Sequence, residues 1–113
     1  MSYEWYRPTA TTGSPTVSIC RDGLFLINRL CMEQYFKGVS LVKLGFDCDR
    51  KIIALRPEKR GDVCLRRVGK GRGMVTAAGF LHKFGIDHSQ ATSFSPHWNK
   101  GQLEIQLGDA LLS

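Results

Sequence analysis

Between Val63 and Thr76 the chain reads V-C-L-R-R-V-G-K-G-R-G-M-V-T. Arg66, Arg67, Lys70 and Arg72 fall within seven residues, and Gly69, Gly71 and Gly73 alternate with the last two. Glycines at alternate positions leave backbone N–H groups open, and open N–H groups beside cations suit a phosphate. The planar fork of an arginine can also bind two phosphate oxygens, or the two acceptors on a guanine edge. A solvated connection between two strands is the plainer reading of the same residues. The spacing is not that of a Walker loop, which needs G-x-x-x-x-G-K-[ST]. Nor is it a Rossmann fingerprint, which needs G-x-G-x-x-G and a long helix.

The charge balance points the same way. The chain carries a net +6 and a pI of about 9.4. From Arg50 to Arg72 nine basic residues face only Glu58 and Asp62, a local +7, so the remainder is close to neutral. A local positive field attracts a polyanion, and neutralising phosphates gives affinity independent of sequence. Arg66, Arg67, Lys70 and Arg72 are the expected phosphate contacts, with Arg21, Arg29 and Lys59 as secondary candidates.

Catalytic and metal chemistry finds no comparable support. His82, His88 and His97 are scattered, and no cysteine lies within five residues of any of them. Zinc needs clustered ligands at short spacing. Asp47 and Asp49 flank a turn without the further oxygen ligands that calcium requires. No G-x-S-x-G elbow is present. The expectation is no enzyme, no metal and no cofactor. Cys20, Cys31, Cys48 and Cys64 form no C-x-x-C pair, sit among apolar or strand-like neighbours, and are expected as buried free thiols. Met1 to Arg7 has no apolar signal core, and the longest apolar run, Leu24 to Ile27, is far too short to span a bilayer. A cytoplasmic protein with no membrane contact is expected.

The elements that must position these residues follow from local pattern. Residues 1–16 read as an irregular tail, punctuated by Pro8, Gly13 and Pro15 but carrying Tyr3, Trp5 and Tyr6. The alternation at Val17–Arg21 predicts a strand. Asp22-Gly23 is a hairpin dipeptide, and Leu24–Ile27 reads as a buried strand. Asn28 can cap a helix over 28–36, with Leu30, Cys31, Gln34 and Tyr35 on one face and Gly38 closing it. Strands at 39–46 and 51–56 flank the Asp47–Arg50 turn as a hairpin. A strand at 63–68 leads to the glycine loop and a short strand at 74–75. Thr76 is the expected cap of a helix to Phe84, which Gly85 ends. Strands at 92–98 and 102–107 form a second hairpin, with Trp98 packed across it. Leu103, Ile105 and Leu107 alternate with polar residues, so that strand has one wet face.

The two halves repeat this order over 17–57 and 63–107, within one α+β domain spanning 17–113. Arg21–Asn28 and Gly71–Thr76, with Lys83-Phe84-Gly85-Ile86 after the second, resemble the AbrB-type swapped-hairpin DNA-binding family. The resemblance implies two units that interleave their hairpins into a small mixed β-barrel or sheet with two short helices. In the MraZ-like branch both units lie on one chain, related by a pseudo-two-fold axis. Leu24 stands where the family has Arg, and Asn28 and Thr76 stand where it has Pro. The expected function is a small nucleic-acid-binding protein, a transcriptional regulator on duplex DNA. The alternative is a protein-interaction or assembly domain with no nucleic acid. A duplicated chain can close on itself or assemble further as a homo-oligomer.

Overall fold

The structure, a computed structural model, describes residues 14–60 and 63–107. Strands dominate: β1 (Val17–Ile19), β2 (Leu24–Ile27), β3 (Leu41–Asp47), β4 (Ile52–Pro57), β5 (Val63–Val68), β6 (Arg72–Thr76), β7 (Thr92–Phe94), β8 (His97–Asn99) and β9 (Gln102–Gln106). Helices α1 (Arg29–Tyr35) and α2 (Ala78–Lys83) follow β2 and β6. The strands form one curled antiparallel sheet in the order β7-β1-β2-β6-β5-β3-β4-β9-β8. The expected sheet with two short helices is therefore present. The residues assigned to the N-terminal tail fall outside the described residues, apart from 14–16.

The β2–β6 pair lies at the centre of a regular pattern. Leu24 faces Thr76 and Ile27 faces Gly73. On one side β2 pairs with β1, and β1 with β7, the strand after α2. On the other side β6 pairs with β5, and β5 with β3, the strand after α1. Farther out, β3 pairs with β4, β8 with β9, and β4 with β9. The strand expected at 92–98 is divided. Pro96 has no N–H for a ladder, and at Ser95-Pro96 the chain leaves β1 and continues as β8 beside β9. The curl thus carries one segment from one end of the strand order to the other.

Alternation explains the core. Phe25, Ile27, Val75 and Leu65 point inward from β2, β6 and β5, and Val42, Ile53, Leu55, Leu103 and Ile105 from β3, β4 and β9. Strand side chains alternate between faces, so the outward row holds Leu26, Met74, Arg66 and Ser18 instead. Glu104 departs from the expected wet face of β9, being only 9% exposed.

The helix ends are set by local chemistry. Oδ1 of Asn28 accepts the N–H of Cys31 at 3.0 Å, the expected cap, and also the N–H of Thr16 at 3.0 Å, tying β1 to the helix start. Thr76 does not cap α2. It is still the last residue of β6; Ala77 takes the cap position and has no side-chain bond to give. The exit of α2 compensates. Gly85, at φ +64°, donates to the carbonyl of His82, and buried Ile86 donates to that of Leu81, the paired bonds of a glycine-terminated helix. The buried face of α1 is Cys31 and Met32, with Phe36 just beyond, rather than the expected Leu30, Cys31, Gln34 and Tyr35. Gln34 is exposed.

Each helix sits over the turn that opens the opposite central strand. A Cβ on Gly23 would lie 2.5 Å from Cβ of Ala78 in α2. A Cβ on Gly71 would lie 3.2 Å from Cγ of Arg29 in α1, and one on Gly73 would lie 2.9 Å from Cε of Met32.

The cysteines correct the sequence expectation. Cys31 is fully buried, Cys20 half-buried, and Cys48 and Cys64 are exposed. Cys48 occupies the tip of the Asp47–Arg50 turn, and Cys64 points outward because Leu65 takes the core side of β5. Burial pushes the Cys31 thiol up to about 12, and burial followed by the nearby Asp22 charge also raises Cys20. The thiolate is the reactive form. Iodoacetamide at pH 8 should therefore modify Cys48 and Cys64 in the folded protein and spare Cys31 until denaturant is added. Peptide mass mapping before and after unfolding reads this directly; equal labelling of Cys31 in the native state would contradict its burial.

Candidate nucleic-acid interface

The glycine-rich stretch is more ordered than a flexible connection. Gly69–Gly71 forms a single 3₁₀ turn between β5 and β6, with Lys70 at φ +64° and ψ 29° and Gly71 at φ +74°. This left-handed pair lets the chain reverse and lie against α1. Arg72 is tied into the same turn: its Nε donates to the carbonyl of Gly69 at 3.0 Å. Lys70 is exposed and makes no hydrogen bond or ion pair among the described residues.

Beside this turn opens a shallow cleft of about 470 Å³, lined by Met32, Glu33, Lys37, Gly38, Arg67 and Gly71. Its walls are α1 with its exit on one side and the β5–β6 turn on the other. Arg29 packs its side-chain stem on Gly71, and its Nε donates to Glu33 at 2.9 Å. Both partners of that pair are 59% exposed, so water screens it and it adds little. Glu33 is the one carboxylate among the residues named here, against Arg29, Lys37, Arg67, Lys70 and Arg72.

Arg67 has a second occupation. On β5 it shares the inward side with Leu65, opposite Gly73, which has no side chain to block it. Its guanidinium donates Nη1 to the carbonyl of Val39 at 2.7 Å and Nη2 to that of Phe36 at 3.0 Å. These carbonyls lie just past the last turn of α1, where helix carbonyls lack intrahelical partners. Arg67 therefore fastens the α1–β3 connection to β5, and it also lines the cleft with an exposed side chain.

The remaining candidates divide. Arg66 lies on the outward face, level with Met74, on the side of the sheet away from Arg67. Arg21 sits at the β1–β2 turn, where its carbonyl oxygen lies 3.0 Å from Nδ1 of His88. A carbonyl only accepts, so that ring carries hydrogen on Nδ1. Because β2 and β6 are antiparallel, this turn lies at the opposite end of the pair from Gly71, roughly 20 Å away along the strands. Lys59 is exposed on the loop after β4. Of the seven predicted residues the fold brings Arg29 and Arg67 to the cleft, with Lys70 in the turn beside it, while Arg72, two residues before Met74 on β6, shares the outward face with Arg66. Sequence reasoning missed Lys37, whose only signal is its place just before the helix-closing Gly38.

Trp98 is 41% exposed, and its ring stacks on that of Tyr35 at 5.0 Å with an interplanar angle of 5°. Trp98 lies opposite Leu103 across the β8–β9 hairpin, and the stack adds a contact with the end of α1.

No group of three or more metal-binding side chains occurs among the described residues, and none of their helices is long and apolar enough to cross a membrane. No family model, curated protein or solved structure matches the chain.

Proposed function

We propose that the protein is a non-enzymatic nucleic-acid-binding module, a regulator that grips duplex DNA by its phosphates at the Gly69–Arg72 turn. One observation carries this reading: the turn that bears the exposed Lys70 and Arg72 packs at Gly71 on Arg29 of α1, next to a cleft lined by Lys37 and Arg67 in which Glu33 is the one carboxylate. Cations spread along a chain are ordinary. Cations gathered at a glycine turn that is pinned to a helix form a preset phosphate contact, which loses little side-chain freedom on binding.

The finer fold reading belongs to the same proposal. A tandem duplication of the swapped-hairpin type would make β1, β2, α1, β3 and β4 the counterparts of β5, β6, α2, β7–β8 and β9. The strand pairings favour it, because exchanging the two sets leaves the list of paired strands unchanged. Gly23 and Gly71 hold corresponding places, each immediately before a central strand with φ positive. The second turn carries Lys70 where the first carries Asp22, so duplex contact falls to one end of the molecule.

Gel-shift titration against duplex DNA at two salt concentrations tests the function. Binding should weaken steeply as salt rises. Arg72→Ala should lower affinity on every sequence and reduce the log–log salt slope by about 1. Absence of a shifted band at low salt would end the proposal.

Trp98 favours a second reading. A large exposed indole on an end strand of the sheet is a common centre of protein interfaces. A partner recovered by pull-down that survives nuclease and high salt, and is lost with Trp98→Ala, would support the assembly role instead.

A further inference from the structure

The outward face of β3, β4 and β9 carries a different group of charges, remote in the strand order from the β5–β6 turn. Lys43 and Arg56 are direct register partners across the β3–β4 pair, and both are exposed. Like charges directly opposite one another destabilise a sheet. The Lys43 ammonium has no hydrogen bond or ion pair among the described residues. The next pair on the same face is Gly45 and Ala54, which present almost no side chain. The cations therefore stand beside a hollow of about 300 Å³, lined by Lys43, Leu44, Gly45, Ala54, Arg56 and Gln102.

Arg56 is held in place by a relay. Its Nη2 donates to Oε1 of Gln102 at 3.0 Å, and Nε2 of Gln102 donates to Oε2 of Glu104 at 2.7 Å. Asn99 Nδ2 reaches the other Glu104 oxygen at 3.4 Å. Glu104, the register partner of Ala54 on β9, is the carboxylate nearest this floor, and it is 9% exposed with both oxygens engaged by amides. It fixes the relay that holds Arg56. The Gln102 bond uses one of the five N–H donors of a guanidinium, so Arg56 is oriented but far from saturated.

We propose that this hollow binds a phosphate monoester, with Arg56 and Lys43 on the phosphate oxygens and the body of the molecule lying on the Gly45–Ala54 floor. A monoester carries close to two negative charges at neutral pH, which matches two facing cations. Charge-assisted bonds from a guanidinium to phosphate are the strong, directional kind. The site shares no lining residue with the cleft beside α1 and does not depend on duplex binding there.

The test is an amide-resolved NMR titration of the full chain with three probes: adenosine monophosphate, inorganic phosphate and single-stranded oligodeoxythymidylate. The Gly45, Ala54 and Gln102 amides should shift saturably with millimolar adenosine monophosphate, and more weakly with inorganic phosphate. Arg56→Gln and Lys43→Gln should each weaken this binding at least tenfold, while the unchanged remainder of the spectrum reports an intact fold. Absence of saturable shifts at these amides, or undiminished shifts in Arg56→Gln, would overturn the site. Equal affinity for inorganic phosphate would remove the role of the floor. Tighter binding of the oligonucleotide, whose phosphates are monoanionic diesters, would overturn the monoester assignment.

Discussion

Gly23→Ala should destabilise the protein by about 3 kcal/mol or more, a large fraction of the stability of a small domain. Two effects add. Gly23 sits at φ +85°, where an L side chain costs roughly 1–2 kcal/mol. The new methyl would also meet Cβ of Ala78 at 2.5 Å and Cα of Ala78 at 2.7 Å. That Cα is helix backbone and cannot swing aside. Moving α2 would break the bond from Ala77 N–H to the Gly23 carbonyl, now 2.8 Å, and would lift Leu81 from the core. Urea unfolding followed by circular dichroism measures the loss. Gly101→Ala is the control: it shares the positive φ, at +81°, but a Cβ there meets nothing within 4 Å, so it should show the conformational cost alone. Equal effects from the two substitutions would mean that α2 does not rest on the β1–β2 turn as described.

Arg67→Ala should cost about 2 kcal/mol, the range for hydrogen bonds made by a charged group. It removes the donors to the Phe36 and Val39 carbonyls at the exit of α1. Arg66→Ala, one residue earlier, should change stability by no more than about 0.5 kcal/mol, because its side chain lies on the outward face and holds nothing comparable. The contrast also separates structure from binding. A loss of DNA affinity in Arg67→Ala mixes helix displacement with lost charge, whereas Arg72→Ala reports mainly charge. Arg67→Lys keeps the charge but not the fork, so it should recover little of the lost stability. Similar midpoints for Arg66→Ala and Arg67→Ala in urea would remove the structural role assigned to Arg67.

Much of the fold was legible from short-range chemistry. The β2 core strand, the Asn28 cap, the glycine ends of both helices, the β3–β4 hairpin and all of β5 follow from patterns a few residues long. Alternation, capping and turn preference act within such windows, so the sequence displays them. The tail aromatics Tyr3, Trp5 and Tyr6 and the closing residues after Leu107 lie outside the described residues. Misplacements arose where a distant contact outweighed local preference. Thr76 has a good cap side chain, yet its register with Leu24 keeps it in β6. Cys48 and Cys64 have strand-like neighbours, but turn position and strand parity put them outside.

The site followed the same division. By itself the sequence determined that positive charge concentrates between Arg50 and Arg72, and that Lys70 and Arg72 are carried by a glycine turn, since charge and glycine content are local properties. Tertiary structure alone decided which cations meet. Pairing β2 with β6 sent the Arg21 turn to the far end, the α1 exit claimed Arg67, and the crossing of α1 over Gly71 brought in Arg29 and Lys37. Pairing β3 with β4 set Lys43 against Arg56. Such proximities come from strand register and helix seating, which depend on burying one shared core and so cannot be read from any single segment of the chain.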